Sequence, residues 1–161
     1  MQKLTPSLWF DDRCEEAVNY YVSVFPNSSI ISIKYYPEKD LPGPPPGMQG
    51  KVLTAIFELD GMRFIALDGG PIFKPNEAIS FQIECEDQKE VDYYHEKLSA
   101  HPESVQCGWV KDRFGFSWQV TPKRLGELLS DSDKAKADRV LMAMLKMKKI
   151  DIAELERAAQ G

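Results

Sequence analysis

Residues 78–94 read AISFQIECEDQKEVDYY, and three patterns meet in them. The first eight alternate, with Ile79, Phe81, Ile83 and Cys85 on one side and Ser80, Gln82 and Glu84 on the other. A period of two is that of a strand with one face against a core. Asp87 follows, with Glu90 three residues on, the spacing of a capping box in which each side chain serves backbone donors at a helix start. The helix then carries VDYY, residues 91–94. Residues 18–21 read VNYY. That stretch lies behind a strand, LTPSLWF (4–10), and behind Asp12 with Glu15 three residues on. Cys14, Val18, Tyr21 and Phe25 form an apolar stripe at helical spacing, and Pro26-Asn27 ends the helix.

The order continues alike in both halves. SIISIKYY (29–36) reads as a strand rich in β-branched and aromatic residues. VLTAIFEL and MRFIALD form a hairpin about Asp60-Gly61, a pair that favours a type I′ turn. In the second half, CGWVKD and FGFSWQV form a hairpin about Phe114-Gly115. Strand, cap, helix, strands and glycine-turn hairpin thus occur twice, which predicts a duplication. The copies differ: Val18 lies six residues after its cap and Val91 four. The second copy also lacks the segment PEKDLPGPPPGMQG (37–50), whose five prolines and three glycines predict a long surface loop, a candidate lid.

After Thr121-Pro122, a Thr cap with Pro in the first turn, the pattern becomes helical. A short helix is expected over 123–130, a second after Ser132 or Asp133, and a third over 152–159 after Asp151. Val140, Leu141, Met144 and Leu145 form the apolar face of the second, with Lys146, Lys148 and Lys149 at its end, where cations suit the helix dipole. The expected organisation is one domain over 1–161, with module 1 at about 1–70, module 2 at about 77–122 and a helical tail at 123–161.

The 161 residues suffice for a full core. A formal charge of −5 with pI near 5.1 argues against a nucleic-acid partner, which needs a basic face. The start, MQKLTPSLWFDD, lacks the apolar run of a signal peptide, and no apolar run approaches membrane-spanning length. Three widely spaced cysteines, Cys14, Cys85 and Cys107, without a C-x-x-C pair, suit a reducing cytoplasm.

Four segments carry a resemblance: LWFDDRCEEAVNYYVSVFPNS (8–28), DGMRFIALDGGP (60–71), CGWVKDRFGFSWQVTP (107–122) and KADRVLMAMLKMKKIDIAELE (136–156). With two βαβββ units, the chain resembles the PhnB-like, demethylubiquinone methyltransferase-type branch of the vicinal-oxygen-chelate superfamily. That superfamily includes glyoxalase I, bleomycin-resistance proteins and extradiol dioxygenases. The resemblance implies an α+β fold of two βαβββ modules, with curved mixed sheets, helices outside and a cavity on the concave side. It also implies a homodimer, for which the apolar residues of the tail, Ile150 among them, give a second reason. The methyltransferase label finds no support in the residues. There is no glycine-rich strand-to-helix loop to cradle a nucleoside cofactor, and Asp68-Gly69-Gly70-Pro71 reads as a turn.

If the apolar strand faces lie under the helices, the opposite faces line the cavity. On that reading Leu4, Leu8 and Phe10 point to the helices, and Thr5, Ser7 and Trp9 to the cavity. Phe116, Trp118 and Val120 pack, leaving Ser117, Gln119 and Thr121. Ile65 and Leu67 pack, leaving Met62, Phe64, Ala66 and Asp68. The superfamily's metal-binding positions match Thr5, Ala66, Ser80 and Gln119, none of them His or carboxylate. The two histidines, His95 and His101, fall in or after the second helix. The expectation is therefore a cavity without metal or other cofactor, taking a small, partly aromatic or cationic ligand. Its candidate residues are Trp9, Phe64, Asp68, Gln82, Glu84 and Gln119. Glu84 or Asp68 is a general base if burial raises its pKa; the plainer reading of these acids, and of Glu58, is solvated strand ends. Cys14 and Cys85 read as core, and Cys107 has no His partner. The lysines near 146–149 read as a dipole-matched helix end, and Met142, Met144 and Met147 as packing or subunit interface. Two other readings stay open: an enzyme of the same fold, either a metal-dependent lyase, isomerase or dioxygenase or the methyltransferase of the label, and a dimeric interaction protein.

Overall fold

The computed structural model describes residues 2–39, 42–43 and 46–161. The chain forms two compact units, Met1–Pro75 and Asn76–Gly161, and the fold is α+β, with seven strands in two sheets among the described residues. The candidate lid, 37–50, falls partly outside the described residues. Among those described, no helix is long and apolar enough to cross a membrane.

The first unit contains β1 (Ser7–Phe10), α1 (Cys14–Val24), β2 (Ser29–Tyr35), β3 (Val52–Leu59) and β4 (Met62–Asp68), in the sheet order β1-β4-β3-β2. β1 runs parallel to β4, and the other pairs are antiparallel. Asp60 and Gly61 join β3 to β4 with φ of 45° and 80°, the doubly positive geometry of a type I′ turn. α1 packs on β3 and β4 through Cys14, Ala17, Val18, Tyr21 and Val24, all buried.

Two expectations for this unit are corrected. Asp12 is not the cap of α1: Arg13 occupies that position without a side-chain capping bond, and Asp12 pairs with Lys51 instead. The first helical N–H, that of Cys14, donates to Asp68 Oδ1 at 2.8 Å, from 54 residues away. The face of β4 is also the reverse of the one expected. The parallel register sets Leu8 beside Ala66 and Phe10 beside Asp68, so Phe64, Ala66 and Asp68 are buried on the helix side. Ile65 and Leu67 lie on the other face with Ser7 and Trp9. The larger aliphatic side chains suggested the wrong parity; pairing with β1 decides it. Leu4 precedes β1 and is exposed.

The second unit contains β5 (Ser80–Cys85), α2 (Gln88–Leu98), β6 (Trp109–Lys111) and β7 (Ser117–Pro122), in the order β5-β7-β6. In place of a strand like β2, the chain makes a 3-10 turn, Pro102–Ser104, and one bridge between Gln106 and Trp109. The second module is therefore βαββ among the described residues. Here the local cap is present: Asp87 accepts from Glu90 N–H at 3.0 Å, and Glu90 accepts from Glu86 N–H at 2.8 Å. β5 starts at Ser80, so Ile79 lies outside the strand, 72% exposed.

The tail forms α3 (Lys123–Leu129), α4 (Lys134–Met144) and α5 (Ile152–Gln160). Pro122, not Thr121, holds the cap position of α3, without a side-chain bond; Asp133 and Asp151 cap α4 and α5. Leu125, Leu128, Val140, Met147, Ile150, Leu155 and Ala159 bury one another in a core of their own. Cys107 and Gly108 N–H donate to the carbonyls of Met147 and Lys148, which ties this core to the second sheet's unit. The expected apolar face of α4 thus divides. Val140 is buried and Met144 partly so, while Leu141 and Leu145 stay outside.

Candidate functional site

In the second unit, Phe81, Ile83, Cys85, Val110, Trp118 and Val120 alternate with a polar set. The register puts Gln82 beside Gln119 and Gln119 beside Trp109, one row across three strands. Ser80, Ser117 and Lys111 form the row on one side, and Glu84 and Thr121 begin the row on the other. With strands ~4.8 Å apart and same-face residues ~6.5 Å apart along each, the rows span roughly 10 by 13 Å. Gln119 Nε2 lies 2.8 Å from Ser80 Oγ, which fixes the amide, and Lys111 pairs with Glu77. Gln82 and Glu84 are exposed and Gln119, Thr121 and Trp109 half-buried. Three of the six expected site residues, Gln82, Glu84 and Gln119, therefore share one face. Trp109 joins them. It was missed, although the alternation Trp109, Val110, Lys111 carried the signal.

The first sheet's corresponding face is different. It groups Trp9 with Ile56, Ile65 and Leu67, and beside them stand Ser7, Thr54 and Glu58, the last paired to Arg63 at 3.2 Å. Trp9 is held in place. Its indole N–H donates to Gly70 O at 2.9 Å, and its ring meets Phe73 edge-on at 4.9 Å. Phe64 and Asp68, expected beside Trp9, are buried on the opposite face. Phe64 stacks on Phe57. Asp68 accepts from Cys14 N–H and, at 3.2 Å, from Val52 N–H, so it joins a helix start to a strand. Burial raises its pKa and the two backbone donors oppose the rise; both carboxylate oxygens are engaged in holding backbone.

A second buried carboxylate, unexpected from sequence, is Asp112. It accepts from Phe114 and Phe116 N–H at 2.9 and 3.0 Å and from the Trp118 indole at 2.8 Å. It shapes the hairpin turn and anchors the largest core ring.

The cysteines are free. Burial first, then Asp68 for Cys14 and Glu90 for Cys85, pushes both thiols up to about 12, which removes them as nucleophiles. His95 on α2 has a buried Nε2 with no hydrogen-bond partner among the described residues. Burial, then Lys149, lowers its pKa against the pull of Asp92.

The fold family's divalent ion fails a test of donor chemistry here. The matching positions are two hydroxyls, an amide and a methyl. Of these, Ser80 and Gln119 satisfy each other, and Ala66 is buried under the helix. Among the described residues, no three His, Cys, Asp or Glu side chains gather as a metal site. Imidazole and carboxylate are what such ions select.

A family model described as 3-demethylubiquinone-9 3-methyltransferase matches residues 2–121. Among solved structures, the PhnB protein from Bacillus cereus is 35% identical over 75% of this chain and 99% of that one, with a TM-score of 0.63. Protein PA1353 from Pseudomonas aeruginosa is 21% identical over 76% of this chain and 98% of its own, with a TM-score of 0.58, a likeness of fold. No curated protein matches the chain.

Proposed function

The chain belongs to the family described as 3-demethylubiquinone-9 3-methyltransferase, the PhnB-like family, and on that premise we propose that it binds a small organic molecule on the polar face of its second sheet without a metal ion. The observation that supports this is the row Gln82, Gln119 and Trp109, flanked by Ser80, Thr121 and Glu84. Amides and hydroxyls read a ligand's hydrogen-bonding edge, an indole offers a flat apolar wall, and a carboxylate favours a cation. These groups supply binding and orientation. Methyl transfer from a nucleoside-type donor would need backbone N–H groups free to hold it. In the chain's one Gly-Gly turn, the N–H groups of Gly69 and Gly70 donate to the carbonyls of Phe10 and Asp11.

The test is a thermal-shift screen of chelator-treated protein against a collection of small aromatic and cationic molecules. Stabilisation that persists in chelator and drops at least tenfold in apparent affinity in Gln82→Leu/Gln119→Leu is the expected result. Stabilisation that requires an added divalent ion, or that the double variant leaves unchanged, contradicts the reading.

A further inference from the structure

Trp109, the aromatic member of the polar row, follows a turn of unusual composition. The Gln106 N–H donates to Trp109 O at 3.3 Å, and the Trp109 N–H to Gln106 O at 2.8 Å. Between them Cys107 and Gly108 have φ of 50° and 83°, the doubly positive geometry of a type I′ turn. Asparagine, aspartate and glycine are the residues this turn selects at its first central position. Cys107 has neither glycine's freedom nor an amide or carboxylate to bond locally, so the left-handed conformation is unfavourable for it. The tail supplies what the turn's own sequence does not. Cys107 N–H donates to Met147 O at 2.9 Å and Gly108 N–H to Lys148 O at 2.8 Å, and Gln106 Nε2 donates to Leu145 O at 3.0 Å. Ile150, fully buried in the tail's core, packs on the bare α-carbon of Gly108. A methyl there would stand 3.1 Å from Ile150 Cγ1 and 2.8 Å from Val120 O.

The tail segment is itself held from its other side by α2. The Gln88 amide donates to Ile150 O at 3.1 Å and accepts from Ile152 N–H at 2.9 Å, and Lys149 pairs with Asp92. β6, by contrast, is only three residues long. It pairs with β7 on one side; on the other it meets the bridge from Gln106 and the Ala100 N–H, which donates to Lys111 O. Gln82 and Gln119 stand on β5 and β7, which pair over six positions, so their places do not depend on the turn. We propose that the tail segment 145–150 is a positioning element for Trp109. It holds the Gln106–Trp109 turn in its left-handed form, with Ile150 and, through it, Gln88 as positioning residues for the indole wall of the polar face. The use of that wall by a ligand rests on the reading above; its placement by the tail does not.

Nitrogen–proton correlation spectra of the full chain without any added molecule test this, so the outcome is separate from that of the binding screen. Gln88→Ala, at a half-buried position, frees the segment from α2 without touching the tail's core. It should shift or broaden the Trp109 indole N–H while the Trp118 indole and the Gln82 side-chain amide stay in place. Ile150→Val, which trims the contact on Gly108, should do the same. Cys107→Asn keeps both backbone donors and gives the turn an Asn-Gly pair, which adopts type I′ unaided. In that background the effect of Gln88→Ala on Trp109 should shrink by at least about half, because the turn no longer needs the tail. A Trp109 indole indifferent to both tail variants overturns the proposal. So does one that moves only together with Trp118 and Gln82, the mark of general loosening, and so does a Gln88→Ala effect that Cys107→Asn leaves undiminished.

Discussion

The two units are built to one plan and held together by different devices. In the first, the helix start is tied by a carboxylate from the far end of the sheet, Asp68 on the last strand. In the second, the helix caps itself with Asp87 and Glu90, and the distant carboxylate, Asp112, holds the hairpin turn and Trp118. Their open faces differ as well. One sets a fixed Trp9 beside Ile56, Ile65 and Leu67, with a Glu58–Arg63 ion pair further along; the other is a row of amides and hydroxyls around Trp109. A repeated order of elements therefore repeats the scaffold, while the polar groups that lock it and the groups it displays are set separately in each copy.

The buried carboxylates offer the sharpest way to break that comparison. Asp112→Ala strands three donors and is expected to cost about 3–6 kcal/mol, against about 2–4 kcal/mol for Asp68→Ala, which strands two. Denaturant midpoints of the two variants, measured side by side, give the order; equal losses would mean the count of orphaned donors is not what matters. A smaller contrast lies in the glycines. A methyl on Gly69 would sit 2.1 Å from the Trp9 ring, whereas one on Gly126, in α3, meets nothing within 4 Å. Gly69→Ala should cost about 2–3 kcal/mol by overpacking, and Gly126→Ala should gain about 0.5–1 kcal/mol of helix propensity. Thermal midpoints moving in the same direction would remove Trp9 as a fixed wall.

The smallest expected effect is one of pH and belongs to the second unit. His95 faces Asp92 from its own helix and Lys149 from the tail, and its folded pKa lies below the ordinary 6.5. Between those two values the unfolded chain binds more protons. The contribution of His95 is therefore complete above the ordinary value and is lost as pH falls through it toward the folded pKa. His95→Gln should flatten that part of the stability profile; a profile that keeps its slope would assign the titration elsewhere.

The second unit was the more legible in sequence because its signals are local. Alternation over 80–85 and the Asp87–Glu90 spacing need no partner to be read, and Gln82, Glu84 and Gln119 fall on one face as that alternation requires. The first unit's errors all came from long-range pairing. The face of β4 depends on its register with β1, which Ile65 and Leu67 gave no hint of, and the true cap of α1 is 54 residues away. Asp112 was missed for a different reason: its partners are only two to six residues away, but a carboxylate in a turn reads as solvated until Trp118 folds over it. On α4 the helical stripe was plain, but only the packing of Val140 and Ile150 told its inner side from its outer one.

The three tryptophans allow the central claim, a metal-independent site on the second unit's polar face, to be tested in one measurement. Their indole N–H groups sit in three settings: Trp9 bonded to Gly70, Trp118 bonded to Asp112, and Trp109 on the open row. Nitrogen–proton correlation spectra recorded in chelator during titration with a compound that stabilises the protein should move the Trp109 indole and the side-chain amides of Gln82 and Gln119, with Trp118 still. Shifts confined to Trp9 and its neighbours, or shifts that appear only when a divalent ion is restored, would contradict the account.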